Sequence, residues 1–162
     1  MPHPTYPTYS IADIVARTGA KERPVLLWAD ARAIWAEPGT DRAGRGVHRK
    51  FPWREVQIAA VLAAAAPFRL PIGVMVDLGS SVRTGLMLEG FPHGAMQRMA
   101  AAFQAAQYGE GDAVLVLVPG DTPQDKPFNY FVRWPGEAGV PGSRHKTELV
   151  IDLAEIWRGL RP

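Results

Sequence analysis

The sequence has no cysteine. That excludes disulfides, thiolate metal sites, zinc fingers and a cysteine nucleophile. The four histidines, His3, His48, His93 and His145, are scattered, and no two have the spacing of metal ligands. No Walker or dinucleotide-binding glycine pattern is present, and Gly79-Ser80-Ser81 is not a nucleophile elbow. No metal or cofactor is therefore assigned. With no constellation of acid, base and nucleophile, no catalytic residue is named and an enzyme is not expected. No run reaches the ~18 apolar residues needed to cross a bilayer. The opening "MPHPTYPTYS" has neither the basic nor the apolar region of a secretory signal. The expectation is a soluble cytoplasmic protein with no membrane partner.

The sequence does carry a charge asymmetry. Residues 1–70 hold ten Lys/Arg against six Asp/Glu, and residues 71–162 hold eight against ten. An excess of cations in one half points to a polyanionic partner for that half. Within it, Ile11, Ile14, Val15 and Thr18 recur at helical spacing, Ser10 is placed to cap, and Gly19 is placed to end a helix over 10–18. "KERPVLLWADARAIW" predicts a second helix with Pro24 in its first turn and Val25, Leu26, Trp28 and Ala29 buried. Two short helices joined by a glycine-containing turn make a helix-turn-helix.

"TDRAGRGVHRKF" at 40–51 carries Arg42, Arg45, Arg49 and Lys50 among glycines. The expectation is a hairpin pairing Ala33–Trp35 with Val47–Phe51, with Gly44 and Gly46 at its tip and Phe51 as its anchor. "FPWREVQIAAVLAAAA" resumes helical spacing until Pro67, and "LPIGVMVDLGSSVRTGL" predicts a further helix weakened by Gly73 and Gly79. Beyond it, Met96, Met99, Phe103 and Ala106 mark a helix over about 92–107. "DAVLVLVP", "FNYFVRW" and "TELVIDL" read as strands, and "AEIWRGL" as a closing helix. The fold class is α+β with an antiparallel sheet in its second part. The division expected is an arm over 1–8, a domain over 9–85 and an α+β dimerisation or sensing domain over 86–162.

The first part resembles the MerR-type winged helix-turn-helix family. Tyr9, Ile11, Ile14 and Val15 stand where that family has "Y-x-I-x-x-L-A", and "RTGA" at 17–20 matches its "x-T-G-V" turn. Trp28 matches an aromatic of its second helix, and Ala33–Ile34 its leucine pair. "GVHRKF" is similar to its "G-Y-R-x-Y", with one residue extra, and Glu55–Val56 matches the acidic–apolar pair opening the next helix. The resemblance implies an N-terminal winged helix-turn-helix that binds double-stranded DNA as a dimer, with the second helix in the major groove and the wing on the backbone. It also implies nucleoid association and contact with RNA polymerase. Carried over by position, Arg49 is the wing arginine on phosphate, and Lys21, Glu22 and Arg23 are the exposed start of the recognition helix. The chain departs from the family in having Leu26–Leu27–Trp28 where Arg-Tyr-Tyr is common, in lacking a heptad repeat and in lacking sensor cysteines.

The candidate DNA-binding residues are Thr18, Lys21, Glu22 and Arg23 on the helical pair, and Arg42, Arg45, His48, Arg49 and Lys50 on the basic loop. Lysine and arginine neutralise phosphates and release condensed counterions. A carboxylate such as Glu22 is repelled by phosphate but accepts from cytosine N4. The expected function is a sequence-specific transcriptional regulator. Its alternatives are an architectural DNA binder of excisionase-like or packaging-associated type, and a protein-interaction module whose basic loop is idle.

Overall fold

A computed structural model describes residues 7–41, 48–87, 95–108, 110–111, 113–119, 128–133 and 149–160. It is mixed helix and strand. A short strand β1 (Thr8–Tyr9) leads into α1 (Ile11–Thr18) and α2 (Glu22–Asp30). Strand β2 (Phe51–Pro52) precedes α3 (Trp53–Ala65), a single 3-10 turn at Ala66–Phe68 and α4 (Ile72–Met87). The remainder is α5 (Ala95–Gln107), β3 (Val114–Pro119), β4 (Phe128–Arg133), β5 (Leu149–Asp152) and α6 (Leu153–Arg158).

The start of the chain follows its local signals closely. Ser10 Oγ accepts from the Asp13 N–H at 3.2 Å, and the Ser10 N–H donates to Asp13 Oδ2 at 2.7 Å. This is a reciprocal capping box. Gly19 takes the left-handed conformation at φ 69° and donates to the Val15 carbonyl, a geometry that penalises a Cβ.

Helix α3 is the hub. It is buried on nearly its whole circumference, including Glu55 and Gln57, as expected of a helix surrounded by other elements. It packs against α1, α4, α6 and β2. The Trp157 indole N–H donates to the Gln57 carbonyl at 3.0 Å, which fastens α6 to it. One apolar cluster includes Tyr9, Ile14 and Trp28 as well as Phe103, Leu115 and Trp157. The sheet has the order β4-β3-β5, antiparallel throughout, with Leu115 opposite Val132 on one side and Ile151 on the other.

Three expectations are corrected. Ala33–Trp35 is not a strand; β2 pairs with β1 instead, Tyr9 opposite Phe51. The reason lies in where its donors go. Arg32 turns the chain at φ 63°, the Ala33 and Ile34 N–H groups bond back to the Trp28 carbonyl, and the Trp35 N–H goes to Glu55 Oε2 at 2.9 Å. Leu26, expected inside, is 39% exposed. Val25, Trp28 and Ala29 already cover the buried arc, and each residue turns about 100° from the last. Thr8 belongs to β1 and not to a free arm. The helix expected over about 92–107 is present as Ala95–Gln107, and its expected first residues lie outside the described residues.

Gly79 is explained by close packing. A Cβ built there would sit 2.3 Å from the Ala33 carbonyl oxygen, so α4 meets the chain after α2 at a distance only glycine allows. No helix among the described residues is long and apolar enough to cross a membrane.

Candidate nucleic-acid interface

Helix α2 presents two faces. Val25, Trp28 and Ala29 are buried, and Lys21, Glu22, Arg23, Leu26, Leu27 and Asp30 are exposed. Arg23, Leu27 and Asp30 follow at i, i+4 and i+7, so they form one stripe. No side chain caps the start of the helix. Pro24 has no N–H, so the backbone donors left without a side-chain cap at this end are those of Glu22 and Arg23, and the helix dipole favours an anion there.

The basic loop returns to this stripe at its base. Arg49 Nη1 contacts Asp30 Oδ1 at 2.7 Å, and Arg49 Nε donates to the Asp41 carbonyl at 3.4 Å. The "EPGT" turn holds the same strand end. The Glu37 N–H donates to the Lys50 carbonyl at 2.7 Å, and the Lys50 N–H donates to Thr40 Oγ1 at 3.1 Å. The backbone of Lys50 is thus pinned while its side chain is exposed; His48 is exposed beside it. Phe51 is fully buried, as an anchor should be.

Of the nine residues singled out from sequence, Arg23 lies on the α2 stripe, Arg49 reaches that stripe through Asp30, and Lys21 and Glu22 stand at its head. Lys50 and His48 flank Arg49 in the chain. Thr18 is differently engaged: its hydroxyl donates to the Ile14 carbonyl at 2.8 Å and accepts from the Ala20 N–H at 3.2 Å. It shapes the turn between the helices. Arg42 and Arg45, with the two tip glycines, lie outside the described residues.

Sequence reasoning missed three features. Leu27 is 52% exposed on the stripe. Arg69 is exposed at φ 52° in the turn between α3 and α4, next to Leu70, which shares a groove with Arg23 and Leu27. That groove has a volume of about 550 Å³ between α2 and the start of α4, with Leu70, Ile72 and Met75 on the far side. The third is a buried brace at the turn after α2. Glu55 accepts Arg83 Nε at 2.9 Å and Arg83 Nη2 at 2.7 Å, and Arg83 Nη2 also donates to the Ala33 carbonyl at 3.0 Å. The Arg83 guanidinium lies 4.0 Å from the Trp35 ring centroid. A helical arginine at the right register was the one available signal for this brace, and nothing local names its partner.

Close to the turn, Arg17 stacks over Tyr9 at 5.0 Å and Trp53 at 5.9 Å. Hydrogen bonds from the Ser10 backbone and side chain hold the Asp13 carboxyl below its ordinary value, with the charges of Arg17 and Lys50 helping and burial opposing.

The fold and this face define a small α+β protein with a cationic, partly apolar surface built on α2 and the loop base. Set against models of known protein families and against curated proteins, the chain matches none.

Proposed function

We propose that the chain is a sequence-specific regulator of transcription that binds double-stranded DNA through a winged helix-turn-helix. In this reading α2 enters the major groove and the 40–51 loop is the wing. One observation carries it: the Arg49–Asp30 contact at 2.7 Å joins the basic loop to the outward stripe of the second helix. Loop cations and α2 cations then face one ligand from adjacent positions. The roles follow from chemistry. Lys21, Lys50 and Arg69 neutralise phosphates, Arg23 reads a base edge, and the first N–H groups of α2 add a partial positive charge. The order of parts it shares with MerR-type proteins supports a homodimer on two half-sites and an action through RNA polymerase.

The test is a titration of a labelled random-sequence duplex at low salt, followed by the same titration with Arg23→Ala and with Arg45→Ala/Arg49→Ala. Arg23→Ala should lower discrimination between a selected site and random DNA more than it lowers general affinity. The loop double variant should weaken binding to all sequences alike. An equal loss on every sequence from Arg23→Ala would reassign it to phosphate.

A second reading has its own observation. The groove beside α2 exposes Leu26, Leu27 and Ile72, a surface that also fits an apolar partner chain. As a protein-interaction module the chain would shift no duplex at any salt concentration.

A further inference from the structure

The stripe on α2 has a composition that gripping phosphate does not require. Arg23, Leu26, Leu27 and Asp30 line one groove. The carboxylate of Asp30 is neutralised by Arg49. What remains to face a ligand is a cation, then a leucine side chain half in water, then a closed ion pair. Leaving a leucine out of the core forgoes about 1.5–3 kcal/mol of burial, and Leu27 lends nothing to the inner arc formed by Val25, Trp28 and Ala29.

The surroundings argue for an anionic partner and not an apolar one alone. Lys21 and Arg23 flank Glu22 at the start of the helix, so cations outnumber the carboxylate there, and Arg69 adjoins Leu70 across the groove. A polyanion that also offers an apolar spot matches this pattern. In the major groove that spot is specific, because among the four bases only thymine projects a methyl group there.

We propose that Leu27 reads the C5-methyl group of a thymine, on the same helix stripe from which Arg23 reads a guanine. This rests on α2 being the helix that enters the groove. The two contacts are spaced by the helix itself. Four residues advance about 6 Å along the axis, and successive base pairs stand about 3.4 Å apart. The thymine therefore lies about two steps from the guanine. Leucine at this position also makes the reading one-sided: it offers neither donor nor acceptor to an adenine, guanine or cytosine edge, and it leaves their polar groups without a partner.

The experiment uses the full chain and the tightest duplex recovered by selection from random-sequence DNA. Each thymine is replaced in turn by deoxyuridine, which keeps the pairing and removes only the methyl group. Affinity should fall about fourfold at one thymine per half-site, the value of burying one methyl-sized group, and stay level elsewhere. Leu27→Ala should bind the thymine and deoxyuridine duplexes equally, near the wild-type affinity for deoxyuridine. Its exposed position predicts an unchanged melting temperature, which checks that the fold survives. Leu27→Gln, which restores polar capacity without an apolar contact, should also lose the distinction. Sequence-selective binding that ignores every thymine replacement overturns the proposal, and so does a distinction that persists in Leu27→Ala. A uniform loss on both duplexes assigns Leu27 to shape and overturns it too. If the folded protein binds no duplex, the DNA-binding reading itself fails, an outcome distinct from each of these.

Discussion

Two carboxylate–guanidinium pairs hold the chain near the end of α2, Asp30–Arg49 and Glu55–Arg83. Both close to 2.7 Å, yet their settings differ. Glu55 and Arg83 are 1% and 5% exposed, while Asp30 and Arg49 are 63% and 20% exposed. The inner pair takes charge out of water and returns it in hydrogen bonds: Arg83 reaches the Ala33 carbonyl, and Glu55 accepts the Trp35 N–H. It fixes a turn that has no strand or helix of its own. The outer pair keeps its carboxylate in water, where attraction is weak and screened by salt. It orients the loop base without locking it, and a phosphate can compete for its arginine. The same two functional groups thus serve as a brace in one place and as an adjustable tie in the other, and burial decides which.

The largest effect expected is on the brace. Glu55→Ala leaves Arg83 charged and buried, and should cost about 3–5 kcal/mol in a denaturant melt. A volume-matched apolar replacement of both partners should recover much of that loss. A cost under about 1 kcal/mol for the single change would place Glu55 in the tie's class and erase the comparison.

Gly79→Ala tests the contact that lets α4 approach the braced turn. Its Cβ meets the Ala33 backbone at 2.3 Å, so a loss of about 1–3 kcal/mol is expected from overpacking. Gly73 is the control. It lies in the same helix with nothing within 4 Å of a built Cβ, and Gly73→Ala should stabilise by about 0.5 kcal/mol.

The Ser10–Asp13 cap lies between the extremes, exposed but held by helix geometry. Ser10→Ala should cost about 1 kcal/mol. Because the folded-state Asp13 carboxyl titrates below its ordinary value, its share of stability is present above that ordinary value. It is lost as pH falls through the depressed one. Melting temperature measured down an acid series in wild type and Asp13→Asn should converge at the acid end.

The smallest stability effect belongs to the tie. Asp30→Asn should change the melt by less than about 1 kcal/mol. The same substitution should raise affinity for duplex DNA at low salt, since it removes a carboxylate from the stripe and frees Arg49. Opposite signs in the two assays would separate the tie from the brace most sharply.

Much of the fold was legible because its signals are local. Ser10, Asp13 and Gly19 mark both ends of α1 within a few residues. Three β-branched or aromatic runs give the three strands of the larger sheet, and Phe51 was readable as an anchor from its place after the basic loop. The failures share a cause. Ala33–Trp35 has a strand's composition, but its N–H groups are claimed by Trp28 and by Glu55, twenty residues beyond Trp35. Glu55 and Arg83 are 28 residues apart, and each alone looks like an ordinary charged position on a helix. Leu26 and Leu27 extend an apolar run, so composition favours burying them; only the angular room left by Val25, Trp28 and Ala29 decides otherwise. The residues proposed to touch DNA were found by charge and turn context, and Leu27 was not, because an exposed leucine has no polar signature.

The central claim is that the α2 stripe and the basic loop together hold duplex DNA. Its most direct test is the affinity of the full chain for a labelled duplex across a series of salt concentrations, in wild type and in Lys21→Ala/Lys50→Ala. The account predicts a linear fall of log affinity with log salt, and a slope shallower by about 0.9 for each lysine removed. Absence of binding at the lowest salt, or a slope unchanged by both substitutions, would contradict it.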